Sequence, residues 1–337
     1  MDPAAVRETG RVPHGGDSDP SVLDFSANVN PRRPDGVGAV YRDALDAATR
    51  YPDDEYPAFR RAAADYVGCE ADHVVPTAGG LAAIRLAIEV TVAPGEDVLL
   101  PAPSFGEYAR EVRLQGGEPR FRPHDELFAA DPEGYALAIV CTPNNPTGDA
   151  VAPDALAAFA RRCADAGTTL LVDEAFLGYT NVPSAATLDL EHVVAARSLT
   201  KLFGLPGLRA GFAVATGDLG AALQTARPAW SLGTPAARVG AHCLRDDAFV
   251  RESRERVRDE RTRLRDALAD AGFTVAPSDA PFLLLECVDR DPDAVLADAR
   301  REGIAIRDAR TFRGLENHLR VAVKDRAAND RLLEALT

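Results

Sequence analysis

Apolar residues along the chain fall into two textures. From about residue 70 to 215, short unbroken apolar runs alternate with longer segments of helical period. Asp97 to Leu100, Ala136 to Cys141, Thr169 to Val172 and Val193 to Ala196 read as buried strands, as do Glu118 to Phe121 and Ala210 to Ala215. Leu81 to Ile88, Ser104 to Leu114 and Pro153 to Ala166 read as the helices between them. Repeated βα units of this length predict an α/β fold, a mostly parallel sheet with helices on both faces. Its ligand site is expected beyond the carboxyl ends of the strands.

The flanks differ. Tyr41 to Thr49 and Pro57 to Val67 read as helices, the second with Phe59, Ala63 and Val67 on one face. The stretch before about Pro34 is rich in Pro, Gly and Asp and has no sustained helical period. Within it Leu23 and Phe25 alternate with polar residues like a short strand, closed by Asn30-Pro31. After about Asp246 a long charged helix runs to Ala271, with Val250, Val257, Leu264 and Leu268 as a narrow apolar stripe and Gly272 as its stop. Two strand-like segments (Phe282 to Cys287, Leu319 to Val323) and two short helices complete a compact α+β unit. The expected organisation is an N-terminal arm (1–35) packed on a small C-terminal domain (247–337), with a large domain (36–246) between.

Composition narrows the function classes. Among 337 residues, 46% are hydrophobic and 27% charged, a globular balance. The net charge of −14 argues against a nucleic-acid partner. No stretch approaches the roughly 20 apolar residues that span a bilayer. The five cysteines are odd in number and widely spaced, which argues against a disulfide framework or a C-x-x-C metal site. The N-terminus carries no signal-peptide pattern, so a cytoplasmic location is expected. Acidity with arginine in place of lysine suits a salt-rich cytoplasm, and equally a codon bias toward Arg, Ala and Asp.

Only two of the 38 basic residues are lysines, Lys201 and Lys324. Lys201 stands just beyond the apolar strand Val193 to Ala196, in Ser198-Leu199-Thr200-Lys201. Arginine replaces lysine freely as a surface charge but cannot form a Schiff base. A chance survivor in a loop is the ordinary alternative. The other strand ends supply a matching set. A Schiff-base cofactor such as pyridoxal 5′-phosphate needs an acid for its pyridinium nitrogen, a donor to its ring oxygen, an aromatic face and phosphate donors. Asp173 suits the first, Asn145 the second and Phe105 the third. Gly79, Gly80, Ser198 and Arg209 suit the phosphate, the glycines opening a helix whose N–H groups are free. Singly, each has an ordinary role: a helix cap, a turn residue, core, a tight turn, a solvated charge.

Taken together and in order, the motifs resemble those of fold-type I, class I/II aminotransferase-like enzymes over essentially the whole chain. They are Asn145-Pro146-Thr147-Gly148, Asp173-Glu174-Ala175-Phe176, Ser198-Leu199-Thr200-Lys201 and Gly207-Leu208-Arg209-Ala210-Gly211. The resemblance implies that Lys201 carries the cofactor and that Arg320 takes the substrate carboxylate. It implies a homodimer in which Tyr51 reaches the partner's cofactor phosphate. Two departures stand out. Phe176 occupies a position where most relatives have a tyrosine, and the turn Thr77-Ala78-Gly79-Gly80-Leu81-Ala82 lacks the usual hydroxyl and acid.

Two branches compete. His14-Gly15-Gly16, Asp24 to Pro31, Arg197 to Lys201, Pro228 to Ser231 and Ile306 to Leu315 look like the L-threonine-O-3-phosphate decarboxylase of cobalamin biosynthesis. The alternative branch is histidinol-phosphate aminotransferase. The substrate is then a small phosphorylated amino acid, with His14, Arg32 and Arg313 as candidates for its phosphate and Asn28 as a further contact. A reading of another class is a catalytically silent protein on the same fold, motivated by the altered phosphate turn.

Overall fold

The computed structural model describes residues 1–336. Its strands are β1 (Leu23–Asp24), β2 (Val74–Thr77), β3 (Asp97–Ala102), β4 (Glu118–Pro123), β5 (Leu137–Cys141), β6 (Thr169–Asp173), β7 (Val193–Ser198), β8 (Gly211–Val214), β9 (Thr274–Val275), β10 (Phe282–Glu286), β11 (Ile304–Ala305), β12 (Arg307–Asp308) and β13 (His318–Ala322). Seven of them form one sheet in the order β2-β8-β7-β6-β5-β3-β4. All neighbours are parallel except around β8, which runs antiparallel to both β2 and β7. The expected α/β architecture with a mostly parallel sheet is what the chain adopts.

Alternation along each strand divides the core between the two faces. Val98 and Leu100 point into one apolar cluster with the helix Gly80–Thr91, while Leu99 points into the other with Phe59, Phe159 and Phe212. Both faces are buried, which is why these strands read as continuous apolar runs.

The residues after the long helix Asp247–Asp270 build a second, antiparallel sheet in the order β12-β13-β10-β9. That helix buries Val250, Val257, Leu264 and Leu268, is capped by Asp246 and is followed by Gly272 at a φ of 90°. The N-terminal segment joins this region. β1 pairs in parallel with β11, and the Phe25 carbonyl accepts from Ala322 N–H at 2.9 Å.

Some details depart from the sequence reading. Pro3–Glu8 is a short helix within the stretch read as aperiodic, because Asp2 caps it through Ala4 and Ala5 N–H. The helix expected from Ser104 begins at Glu107, and helices at Gly217–Ala226 and Thr234–Leu244 add to the set. Among the described residues, no helix is long and apolar enough to cross a membrane.

Candidate active site

The carboxyl ends of β5, β6 and β7 open into a cavity of about 370 Å³, walled on its far side by the N-terminal arm and the second sheet. Lys201 lies in the turn after β7. Its backbone is gripped from two sides, the carbonyl accepting from Tyr179 Oη and from Asn30 N–H, both at 3.0 Å. Its Nζ lines the cavity, 6.0 Å from the Phe176 ring centroid, and among the described residues no carboxylate forms an ion pair with it. Burial, then the positive charges of Arg320 and Arg209, push the ammonium down to about 8, against the opposing pull of Asp173.

Asp173 ends β6 with only 5% exposure. Burial pushes its carboxyl up. Two donors counter this: Tyr108 Oη reaches Oδ2 at 2.5 Å, and Ala175 N–H reaches Oδ1 at 3.0 Å. Tyr108 is wholly buried, and its phenol is held well above its ordinary range by that burial and by the Asp173 charge. It also packs edge-on against Phe105, ring centroids 5.5 Å apart.

Asn145 follows β5 in the loop between Thr142 and Asp149. Its Oδ1 accepts from Arg320 Nη1, so its amide N–H₂ is the group left for another acceptor. Arg320, on β13, is 5% exposed and donates also to the Ser26 carbonyl at 3.0 Å. Beside it, in direct register across the β12–β13 pair, stands Arg307, 9% exposed. Arg307 donates to the Pro13 carbonyl at 2.8 Å and to Thr311 Oγ1 at 2.9 Å. Among the described residues neither guanidinium pairs with a carboxylate. Burial, and then the Arg307 charge, bring Arg320 down to about 9. Arg320 Nε and, elsewhere on the cavity wall, Asn28 Oδ1 are buried without a hydrogen-bond partner. Buried charges and polar groups of this kind call for a ligand that completes them.

The start of the helix Gly80–Thr91 forms a second polar corner. Gly79 has a φ of 99°, and a Cβ there would lie 2.6 Å from Arg209 Nη2. A Cβ on Gly80 would lie 3.0 Å from Ser198 Cβ. The Ser198 and Thr200 hydroxyls meet at 2.8 Å. First-turn N–H groups, two hydroxyls and a guanidinium thus converge where glycine alone leaves room. That donor set suits a phosphate.

The structure brings Gly80, Phe105, Asn145, Asp173, Phe176, Ser198, Lys201, Arg209, Arg320, Asn28 and His14 to one cavity, with Gly79 directly behind Arg209. It does not bring Arg32 or Arg313 there. Arg32 is exposed in the turn after Asn30, and Arg313 lies beyond Phe312 and stacks on Phe121, 4.1 Å from its centroid. Arg307 lines the cavity instead, because the strand register sets it beside Arg320. Tyr51 is 78% exposed, stacked on Trp230 at 4.4 Å, away from this cavity. Tyr108, Thr200 and Arg307 also line the cavity or bond its residues. Thr200 and Arg307 stand within the motif stretches Arg197 to Lys201 and Ile306 to Leu315, whereas Tyr108 carried only its spacing of three from Phe105 near a helix start.

The family described as "Aminotransferase class I and II" matches residues 20–336. The chain belongs to the class I and II aminotransferase family. Threonine-phosphate decarboxylase of Salmonella typhimurium is 33% identical to this aminotransferase-family chain, covering 95% of it and 92% of that relative. Histidinol-phosphate aminotransferase 2 of Archaeoglobus fulgidus is 29% identical, covering 94% and 93%. In fold the chain matches the histidinol-phosphate aminotransferase of Sinorhizobium meliloti, solved in complex with pyridoxal 5′-phosphate (TM-score 0.84, 22% identity, 99% and 92% covered).

Pyridoxal 5′-phosphate is the cofactor of this family, and the cavity of the aminotransferase-family chain fits it. The glycine-bounded corner offers phosphate donors, Asp173 a carboxyl for the ring nitrogen, Asn145 a free amide, and Lys201 an amine with its pKa lowered to about 8. Phe176 carries no hydroxyl and supplies an apolar wall, packed edge-on against Phe282 at 5.1 Å. The Thr200 hydroxyl meets that of Ser198 at the same corner.

Proposed function

We propose that the protein decarboxylates L-threonine O-3-phosphate, giving (R)-1-amino-2-propanol O-2-phosphate. The observation that carries this reading is the pair Arg307 and Arg320, adjacent, buried and without acids of their own. A substrate with both a carboxylate and a phosphate supplies one anion to each. Histidinol phosphate has no carboxylate of its own, so in the aminotransferase reading the carboxylate reaches Arg320 only from the 2-oxo acid co-substrate.

Arg320, with Nε unpartnered, receives the carboxylate. Bound in this pocket, pyridoxal phosphate supplies a conjugated electron sink for whichever Cα bond is held perpendicular to its ring. Arg320 sets the direction of the carboxylate, and so which Cα bond stands against the electron sink; a direction that turns the carboxylate out of the plane leads to loss of CO₂. Asp173, which accepts from Tyr108 Oη and Ala175 N–H, would pair with the cofactor's ring nitrogen. Lys201 Nζ delivers a proton to Cα where CO₂ has left, an amine near neutrality being able both to hold and to release it. Phe105 and Phe176 exclude water from that atom.

The reading extends to an N-terminal arm (1–35), a large domain (36–246) and a small one (247–337), and to a homodimer. Exposed Tyr51 and Trp230, stacked on each other, form the face that meets the second copy, through which Tyr51 reaches the partner's phosphate corner.

Histidinol-phosphate aminotransferase is the second reading, supported by the near-equal likeness to such relatives. The discriminating experiment supplies threonine phosphate and, separately, histidinol phosphate with 2-oxoglutarate. CO₂ from the first supports the decarboxylase. Glutamate from the second supports the aminotransferase.

A further inference from the structure

Asn30, near the end of the N-terminal arm, is 4% exposed, and both polar atoms of its carboxamide are engaged. Oδ1 accepts from Arg32 N–H at 3.0 Å and from Arg256 Nη2 at 2.8 Å. Nδ2 donates to the Leu202 carbonyl at 2.7 Å and to Ser253 Oγ at 3.1 Å. Two donors meet one atom and a carbonyl meets the other, so only this orientation of the amide satisfies its neighbours. The Asn30 backbone N–H goes to the Lys201 carbonyl at 3.0 Å. One residue thus holds two successive carbonyls of the turn that presents the Lys201 amine. That turn lies outside any helix or strand, so no periodic hydrogen bonding fixes its direction. The fit against the arm is close: Gly204 has a φ of 64°, and a Cβ there would lie 2.7 Å from the Asn30 carbonyl oxygen.

The same contacts reach Arg320. Arg256, on the helix Asp247–Asp270, donates through Nη1 to the Lys324 carbonyl at 2.8 Å, just beyond β13. On the arm, the Phe25 carbonyl accepts from Ala322 N–H and the Ser26 carbonyl from Arg320 Nη2. The segment from Phe25 to Asn30 is therefore bonded at one end to the strand that carries Arg320 and at the other to the turn that carries Lys201. We propose that Asn30 is a positioning residue for Lys201: it sets the reach of the amine toward the cofactor's aldehyde and, through Arg256, ties that reach to the strand of Arg320. Asn30 acts through the turn, not by touching cofactor or substrate. This rests on the reading that Lys201 carries the cofactor.

The test titrates the full chain, stripped of cofactor, with two forms of it and follows absorbance. Pyridoxal 5′-phosphate carries the aldehyde that the Lys201 amine can bond. Pyridoxamine 5′-phosphate lacks it and relies on the remaining contacts alone. Asn30→Ala is expected to weaken the aldehyde form about tenfold or more and the amine form less than about twofold, since a misplaced Lys201 leaves the ring and phosphate contacts intact. Arg256→Met keeps Asn30 but removes a donor to its Oδ1. It should also weaken the aldehyde form selectively, and the double variant should lose less than the product of the two single losses. Ser253→Ala removes the Asn30 contact that does not reach the turn, and should keep the wild-type ratio of the two affinities. Equal loss of both forms, a wild-type ratio in Asn30→Ala, or an equal change in Ser253→Ala would overturn the proposal. Lys201→Ala separates the proposal from the reading beneath it. If preference for the aldehyde is lost in Lys201→Ala but kept in Asn30→Ala, the positioning role fails and the role of Lys201 stands. A preference that survives Lys201→Ala overturns that reading and the proposal with it.

Discussion

Arg307 and Arg320 face each other as direct cross-strand partners, both buried, with no carboxylate to separate their charges. Like charges opposite one another in a sheet destabilise it. The pair therefore costs the free protein stability, and under the proposed reading the substrate's anions offset that cost. Replacing Arg320 by Met is expected to raise the melting temperature of the ligand-free protein. It should lower kcat/KM by 100-fold or more, about 3 kcal/mol of lost carboxylate recognition. Thermal unfolding and steady-state kinetics on the same variant check both halves.

The hydroxyl of Tyr108 is one of two donors that oppose the upward push of burial on Asp173. Tyr108→Phe removes that hydroxyl and little else from a filled core position. Cofactor affinity is expected to fall about fivefold to 50-fold, or about 1–2 kcal/mol. The stability of the cofactor-free protein should shift by no more than about 1 kcal/mol. Titration of the apoprotein with cofactor, followed by absorbance, measures the first. Denaturant unfolding measures the second.

Lys201 titrates near 8 in the folded chain against an ordinary 10.5. The folded state sheds this proton more readily than the unfolded state, so the buried charge is a cost. The cost stands in full below about pH 8 and fades as pH rises toward about 10.5. Stability of the cofactor-free protein contributed by this group thus increases with pH across that window. Lys201→Met should stabilise the apoprotein by roughly 2–3 kcal/mol at pH 7, with the gain vanishing near pH 10.5. Denaturant unfolding at a series of pH values reads this directly.

Tyr51 and Trp230 stack in solvent on a single chain, and the proposed dimer gives them a surface to meet. Mixing a Tyr51→Ala chain with a Lys201→Ala chain tests whether Tyr51 acts across the interface. Each variant alone should be weak or inactive. A mixed dimer regains one complete site, so activity should recover on mixing, whereas unmixed rates would place Tyr51 outside the partner's site.

Much of this was readable in the order of residues because the central strands are buried on both faces. Val193 to Ala196 and Leu170 to Val172 announce themselves as apolar runs, and the polar residues that follow them, Ser198, Lys201 and Asp173, stand at one edge by topology alone. What escaped depended on long-range placement. β11 and β12 are two residues each, too short to carry a period, so the register that puts Arg307 beside Arg320 has no local trace. Arg313 is as cationic as Arg307, and only the fold shows it turned onto Phe121. Tyr108 reads as a core residue of an amphipathic helix, which it also is. β8 runs antiparallel to β7, which precedes it by a 12-residue connection without a crossover α-helix, so its reversal was legible locally; only its pairing with β2, over 130 residues earlier, was not.

The most direct test of the account is CO₂ release from L-threonine O-3-phosphate by the cofactor-loaded protein, with the amine product assayed in parallel. The account predicts one CO₂ per amino-2-propanol phosphate formed, no requirement for a 2-oxo acid, and loss of both products in Lys201→Ala. Absence of CO₂, with glutamate accumulating from histidinol phosphate and 2-oxoglutarate, would contradict it, and silence with both substrates despite bound cofactor would contradict any catalytic reading of the site.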